Sequence, residues 1–133
     1  MSAPDSSANP AGLRSYVHAM YALHALSVLI GVCSSRFVVM AFVFGLPSIL
    51  AVIMNYARRS DAQDTWLQAH FSWQLRSFWY AALWVVASTL LFGPFVFIAI
   101  GIPPLMLSYV LIGLWAAYRI VRGWLALRAG NPP

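Results

Sequence analysis

The sequence contains no lysine and no glutamate. Its eight cationic residues are all arginine, its three acidic residues are all aspartate, and charged residues make up 8% of the 133 positions, against 62% hydrophobic residues. A soluble domain usually carries about 25% charged residues. This shortage of charge excludes an ordinary soluble domain and indicates a chain whose solvent is lipid.

Cysteine and intramembrane carboxylates are also scarce. Cys33 stands alone, so the chain cannot form an intramolecular disulfide or a thiolate metal cluster. The long apolar runs contain no aspartate, and so lack both the paired carboxylates of general acid–base catalysis and the buried carboxylates usual in proton-coupled transporters. We therefore expect a non-enzymatic protein without a cofactor.

The net charge of +5 would suggest nucleic acid as a partner if the chain were soluble. Here the arginines flank long apolar runs, where cationic residues commonly set membrane orientation and contact anionic lipid. The charge pattern therefore favours membrane lipid as a partner and argues against nucleic acid.

Four apolar runs predict an all-α integral membrane protein with four transmembrane helices. Residues 1–12 are small, polar and proline-containing, which is typical of a disordered tail, and 129–133 form a second tail. The transmembrane domain between them covers 13–128. Its crossings are expected at about 16–32, 37–57, 77–99 and 104–127.

No charged residue lies between the third and fourth crossings, so only a turn separates them. Residues 77–118 carry no formal charge, and this stretch is about twice the ~20 residues that cross a bilayer. The chain must therefore turn back, best at the sequence that runs from Gly101 to Pro104. Gly93-Pro94 remains an alternative turn or else a kink, and Gly45 with Pro47 predicts a kink in the second crossing.

The arginines are distributed asymmetrically around these crossings. With the N-terminus inside, only Arg36 lies on the outer side. The cytoplasmic side then carries Arg14, Arg58, Arg59, Arg76, Arg119, Arg122 and Arg128. By the positive-inside rule, this predicts two helical hairpins with both chain ends in the cytoplasm.

One strongly polar passage, RRSDAQDTWLQAHFSWQLRSFW at 58–79, connects the two hairpins. Asp61 or Asp64 is the expected N-cap of a helix starting near Thr65, so that 65–76 lies at the interface as an amphipathic start to the third crossing. The tryptophans of this passage, Trp66, Trp73 and Trp79, together with Tyr80 directly after it, would form an interfacial aromatic belt.

A second polar stripe interrupts the apolar side of that helix. His70, Gln74 and Ser77 recur at i, i+4 and i+7, which places them on one face. Such a stripe would point either at another helix or into a wet cavity. Anchoring at the interface does not require it.

The histidines do not predict a metal or haem site. His18 and His24 lie six residues apart, about 240° around a helix, and so cannot face one ion as an i, i+4 pair would. His70 could at best complete a two-ligand site with His18. His24, which lies one turn from Tyr21 and from Ser27, is the more buried candidate.

Several of these residues carry a resemblance to known proteins. The HFxWQxRxFW core and its surroundings resemble a family of small uncharacterised bacterial inner-membrane proteins, over roughly 16–127. That family is distantly similar to the Tic-twenty-like subunit of the chloroplast inner-envelope protein translocon. The matching residues are Asn55-Tyr56, Arg58-Arg59, Thr65-Trp66, His70-Phe71, Trp73-Gln74, Arg76, Phe78-Trp79 and Tyr118 to Trp124. The resemblance implies a four-helix bundle in the bacterial inner membrane, with both ends on one side.

Two functional hypotheses follow. The first is a scaffold or accessory subunit that binds a partner protein or anionic lipid at its cytoplasmic face, because arginine forks bind phosphate and carboxylate. The residues expected to carry this binding are Asn55, Arg58, Arg59, His70, Gln74, Arg76, Arg119 and Arg122. The second is a transport or protein-translocation component with a polar path between the hairpins, which would add His24 and Ser77.

Small residues at four-residue spacing bear on assembly. Ser27 with Gly31, and Gly113 with Ala117, would allow helices to approach closely. This pattern favours packing within the chain and leaves a homo-oligomer open as a further partner.

Overall fold

The described part of the chain is helical. The computed structural model describes residues 10–33 and 38–133, and no β-strand occurs among them. They form five α-helices and two short 3-10 helices, Arg59–Ala62 and Gly93–Ile98. The α-helices are α1 (Pro10–Cys33), α2 (Val38–Phe44), α3 (Leu46–Arg58), α4 (Gln68–Phe92) and α5 (Ile102–Ala129). The predicted all-α class is confirmed.

Two stretches of the described residues are long and apolar enough to cross a membrane, Gln68–Ile98 and Ile102–Ala129. They overlap the third and fourth predicted crossings. Much of their surface is apolar and exposed, up to 94% for Phe97. Soluble monomers rarely expose apolar surface on this scale, so membrane association is the natural setting for these two stretches.

The first helix begins inside the segment predicted as a tail. α1 starts at Pro10, whereas the tail was predicted to extend to residue 12. Proline is well tolerated at a first helical position because its missing N–H would have no intrahelical partner there. Residues 1–9, and the predicted outer turn with Arg36, lie outside the described residues.

The second apolar run consists of two helices that meet at Gly45, where a kink was predicted. Gly45 is extended, with φ −71° and ψ 137°, and Pro47 lies in the first turn of α3. The Ser48 N–H has no partner within α3 and donates to Ser27 Oγ of α1 at 2.9 Å. A side chain of α1 therefore caps the start of α3.

Neither aspartate caps α4, which corrects the sequence prediction. The helix begins at Gln68, and its N-cap residue Leu67 makes no side-chain capping bond. Asp61 instead accepts a bond from Arg58 Nε at 2.8 Å. Asp64 has φ 62°, a left-handed conformation that aspartate tolerates better than most residues, and it turns the chain before the helix.

The buried residues of α1 and α5 recur at alternating spacings of four and three. In α1 they include Leu13, Val17, Met20, His24, Ser27 and Gly31. In α5 they are Tyr109, Gly113, Ala116, Ile120, Gly123 and Leu127. An average spacing of about 3.5 residues keeps one stripe facing its neighbours along a whole helix.

Hydrogen bonds between helices define which ends lie together. Tyr16 Oη of α1 donates to the Met54 carbonyl near the end of α3 at 2.8 Å. Asn55 Nδ2 donates to the Phe71 carbonyl near the start of α4 at 3.0 Å. Trp124 of α5 bonds to His18 of α1, with the indole Nε1 donating to Nδ1 at 3.0 Å.

The starts of α1 and α4 and the ends of α3 and α5 therefore meet at one end of the molecule. We call it the arginine end, after the arginines on those segments. They are Arg14, Arg58, Arg59, Arg76, Arg119, Arg122 and Arg128.

The chain reverses between α4 and α5 at the α4–α5 turn, residues 93–101. Gly93-Pro94 ends α4 and begins a 3-10 helix, and Ala99 is left-handed with φ 63°. A Cβ on Gly101 would lie 2.3 Å from the Phe92 carbonyl oxygen, so this position requires glycine. Both candidate turn sequences therefore contribute to the reversal. Gly93-Pro94 ends α4, and Gly101 closes the turn before α5.

Candidate functional site

The polar stripe of α4 points into the protein. His70 is fully buried and Gln74 is 1% exposed, and Ser77 is also buried. Their neighbours lie on α1 and α5, so of the two sequence interpretations the structure favours contact with other helices. These residues do not form part of an exposed binding surface.

His70 bridges α1 and the segment after α5. Its Nδ1 lies 2.9 Å from Tyr21 Oη, and its Nε2 lies 2.7 Å from the carbonyl oxygen of Asn131. A carbonyl can only accept, so Nε2 carries the proton, and Nδ1 accepts from the tyrosine hydroxyl. The imidazole is thereby held as one neutral tautomer with both nitrogens satisfied.

Gln74 and Asn55 keep unsatisfied polar atoms in the same interior. Gln74 lies beside the Tyr21 hydroxyl, yet neither of its amide atoms has hydrogen-bond geometry to a described residue. Asn55 uses its Nδ2 on the Phe71 carbonyl and leaves Oδ1 without a partner. Each such buried atom costs about 1–3 kcal/mol unless water reaches it.

Arg119 is a packed side chain and not a free cation. Its guanidinium carbon lies 3.4 Å from the ring centroid of Trp73, and its Nε donates to Ser77 Oγ at 2.9 Å. Trp73 Nε1 returns a bond to the Arg119 carbonyl at 2.9 Å. This reciprocal contact joins α4 to α5, so the main role of Arg119 is to hold these two helices together.

Two further arginines have partners within the chain. Arg14 Nη2 donates to the carbonyls of Leu127 and Arg128, both at 3.0 Å, and so closes the last turn of α5. Arg58 pairs with Asp61 and lies over the Tyr16 ring, 4.9 Å from its centroid.

Arg59 and Arg76 differ from these arginines. Both are exposed, and neither donates a hydrogen bond or forms an ion pair with a described residue. Arg122 is also exposed, but its Nη1 contacts Tyr118 Oη at 3.1 Å. Of the residues predicted to form a binding surface, three arginines are therefore exposed, and two of them have no hydrogen-bond or ion-pair partner among the described residues.

Arg59 and Arg76 line one groove, which we call the Arg59–Arg76 groove. It has a volume of ≈ 350 Å³ and lies between the end of α3 and the first half of α4. Trp79 Nε1 donates to Tyr56 Oη at 2.9 Å within it. Its lining residues are Tyr56, Arg59, Ser72, Leu75, Arg76, Trp79, Tyr80 and Leu83.

The remaining predicted residue, His24, belongs to a separate group. Its Nδ1 lies 2.9 Å from Ser48 Oγ, and its ring packs beside Phe42 and Phe78, with centroid distances of 5.2 and 6.5 Å. Among the described residues, no hydrogen bond connects this group to His70 or Gln74. His24 and Ser77 are thus both buried but are not joined into one polar row.

Metal-binding groups do not converge within 10–33 and 38–133. No three His, Cys, Asp or Glu side chains among these residues could hold one ion. His18 accepts from Trp124, and the other two histidines bond to separate protein partners.

Sequence reasoning missed the residues that organise this interior. Tyr21 was noted only as a neighbour of His24, although its hydroxyl is the partner of His70. Gly123 lies so close that a Cβ there would be 2.4 Å from that hydroxyl and 2.9 Å from Trp73 Cδ1. The four–three spacing of the α5 stripe is the signal that could have identified Gly123 as an interior position.

Comparison with protein-family models, with curated proteins and with solved structures found no match to this chain.

Proposed function

We propose that this chain is a non-enzymatic, multi-pass protein of the bacterial inner membrane that acts as a scaffold or accessory subunit. Four helices would cross the bilayer as two hairpins, with α2 and α3 together forming the second crossing. Both chain ends and the arginine end would face the cytoplasm, where the exposed arginines bind a partner protein or anionic lipid. Membership in the bacterial family that the sequence resembles is part of this proposal.

The observation that carries the proposal is the pair of unpartnered arginines in one groove. Asp61, the acidic residue closest to Arg59 along the chain, is already paired with Arg58. A guanidinium presents five N–H donors that suit phosphate and carboxylate oxygens. Arg59 and Arg76 therefore offer donors that no residue within 10–33 and 38–133 accepts.

The test is co-purification from native membranes in mild detergent. The full chain is compared with a variant in which Arg59, Arg76 and Arg122 are all replaced by alanine, and both bound proteins and bound lipids are identified by mass spectrometry. We expect a partner protein or an anionic lipid to accompany the original chain and to be lost from the triple variant.

A matched control keeps the net charge unchanged. Arg58→Ala combined with Asp61→Ala removes an ion pair at the same end without altering the free arginines. Unchanged binding in both variants, or equal loss in both, would contradict the proposal.

A transport or protein-translocation component is the second candidate. The observation in its favour is Gln74, whose two unpaired amide atoms lie in the interior beside Tyr21 and would suit a hydrated path. Reconstitution into liposomes tests it: solute or ion flux that Gln74→Leu abolishes would support it. No flux above protein-free liposomes would reject it.

A further inference from the structure

The Arg59–Arg76 groove changes character along α4. Ser72 and Arg76 lie toward the start of the helix, Trp79 and Tyr80 follow one turn later, and Leu83 comes next. The distance along the helix from residue 72 to residue 83 is about 16 Å at 1.5 Å per residue. The groove thus passes from cationic and polar to aromatic and then to apolar.

The apolar end of the groove continues along the same face of the helix. Leu83 is 59% exposed, and Leu90, seven residues further, is 73% exposed. Residues spaced by three and four share one helix face. An apolar strip therefore extends from the groove toward the α4–α5 turn.

A phospholipid has the same order of chemistry. Its phosphate requires charge-assisted donors, its glycerol region lies in the zone where tryptophan and tyrosine are preferred, and its acyl chains require apolar surface. A free phosphate ion would use the arginines but would gain nothing from Trp79, Tyr80 or Leu83. The apolar continuation therefore favours a lipid over a soluble anion or an acidic protein segment.

We propose that the Arg59–Arg76 groove is a binding site for one anionic phospholipid, with its phosphate held between the two guanidinium groups and an acyl chain along Leu83 and Leu90. This inference rests on the proposed function, because it places the arginine end at a membrane surface. It narrows that proposal to one site and one class of ligand.

The site needs no rearrangement of the fold. Neither guanidinium has to leave a partner in the described part of the chain, in contrast to Arg14, Arg58 and Arg119. Trp79 and Tyr56 are already joined by a hydrogen bond that fixes the aromatic wall. A wall that is already fixed loses less freedom on binding than a mobile one.

The experiment measures lipid binding to the full chain in detergent micelles by native mass spectrometry. Phosphatidylglycerol is the anionic probe, and phosphatidylcholine, which carries a phosphate but no net charge, is the comparison. Because each arginine near an anionic headgroup contributes about fivefold, Arg59→Ala with Arg76→Ala should weaken phosphatidylglycerol binding roughly 30-fold.

A second pair of variants separates the groove from general charge. Arg128→Ala removes one charge at the same end, outside the groove, and should change binding by less than about twofold. Arg76→Ala removes one charge inside the groove and should weaken binding about fivefold. Arg59→Lys with Arg76→Lys keeps the charge but loses the planar fork, so we expect a smaller loss than in the double alanine variant. Circular dichroism confirms that every variant is folded.

Several outcomes would overturn the inference. Equal weakening of lipid binding by Arg76→Ala and by Arg128→Ala would show attraction to charge alone, and equal affinity for both lipids would show that there is no anion site. Displacement of phosphatidylglycerol by inorganic phosphate at the same concentrations would identify a soluble anion as the ligand. If lipid binding is unchanged while a protein partner is lost from native membranes, the lipid site is wrong and the proposed function stands.

Discussion

The arginine end and the α4–α5 turn hold their helices together in different ways. At the arginine end, side chains reach across to backbone carbonyls, as Tyr16 does to Met54 and Trp73 to Arg119. At the turn, backbone approaches backbone at Gly101, and the Gly101 N–H donates to the Phe95 carbonyl at 3.0 Å. The arginine end depends on particular side chains, whereas the α4–α5 turn depends on the absence of a side chain at Gly101.

The two ends therefore satisfy their polar groups by different means. At the α4–α5 turn, backbone carbonyls accept from the backbone N–H groups of the reversal, without polar side chains. The arginine end is instead rich in directional bonds, which specify which helices pair. Substitutions at the two ends should therefore differ in how much they change stability and in the physical reason for the change.

The largest effect is expected from Gly101→Ala in the turn. The added Cβ would lie 2.3 Å from the Phe92 oxygen and 2.7 Å from two further backbone atoms, which cannot move independently. We expect a loss of about 3 kcal/mol in the free energy of unfolding, the upper end for overpacked cores, because all three clashing atoms are backbone. Denaturant titration in detergent micelles, followed by far-ultraviolet circular dichroism, measures it.

Gly93→Ala is the matched control for that variant. Its Cβ would meet only Thr89 Cγ2, at 3.8 Å, which is an ordinary contact. Alanine before Pro94 disfavours the helical backbone that Gly93 adopts, so we expect a loss of up to about 1 kcal/mol in the free energy of unfolding, less than for Gly101→Ala. Similar losses in both variants would contradict the assigned role of Gly101.

The next effect is expected from His70→Phe at the arginine end. The variant removes the bonds to Tyr21 and Asn131 and leaves the tyrosine hydroxyl buried without this partner. Losing such a bond costs about 1–3 kcal/mol of unfolding free energy. The same titration measures the change.

A double-mutant cycle checks whether the loss comes from that pair. Adding Tyr21→Phe to His70→Phe removes both members, so the combined loss should be smaller than the sum of the single losses by about 1 kcal/mol. Strict additivity would mean that the hydrogen bond contributes nothing beyond packing.

The smallest effect is expected one turn further along α4, from Gln74→Leu. Both amide atoms of Gln74 are buried without a hydrogen-bond partner among the described residues, so an apolar side chain of similar volume removes two unsatisfied groups. Stability should stay within about 1 kcal/mol of the original chain, or rise. A loss as large as that of His70→Phe would show that water satisfies Gln74.

The residues that sequence reasoning located correctly are those whose role follows from local pattern. Apolar runs longer than about 20 residues predict α4 and α5, and glycine with proline predicts the breaks at Gly45 and Gly93. The predicted N-cap of α4 was wrong because neither aspartate is available to cap the helix. Asp61 pairs with Arg58, and Asp64 adopts a left-handed turn conformation before the helix begins.

The sequence by itself determined that the described chain is helical and apolar, because hydrophobicity and helix breakers act over a few neighbouring residues. Only the tertiary structure decided which polar side chains are buried and which arginines are free. Arg14 is satisfied by carbonyls 113 and 114 residues away, and His70 by Tyr21 and Asn131, 49 and 61 residues away. Whether a charged or polar group is available for binding depends on partners that only folding brings together.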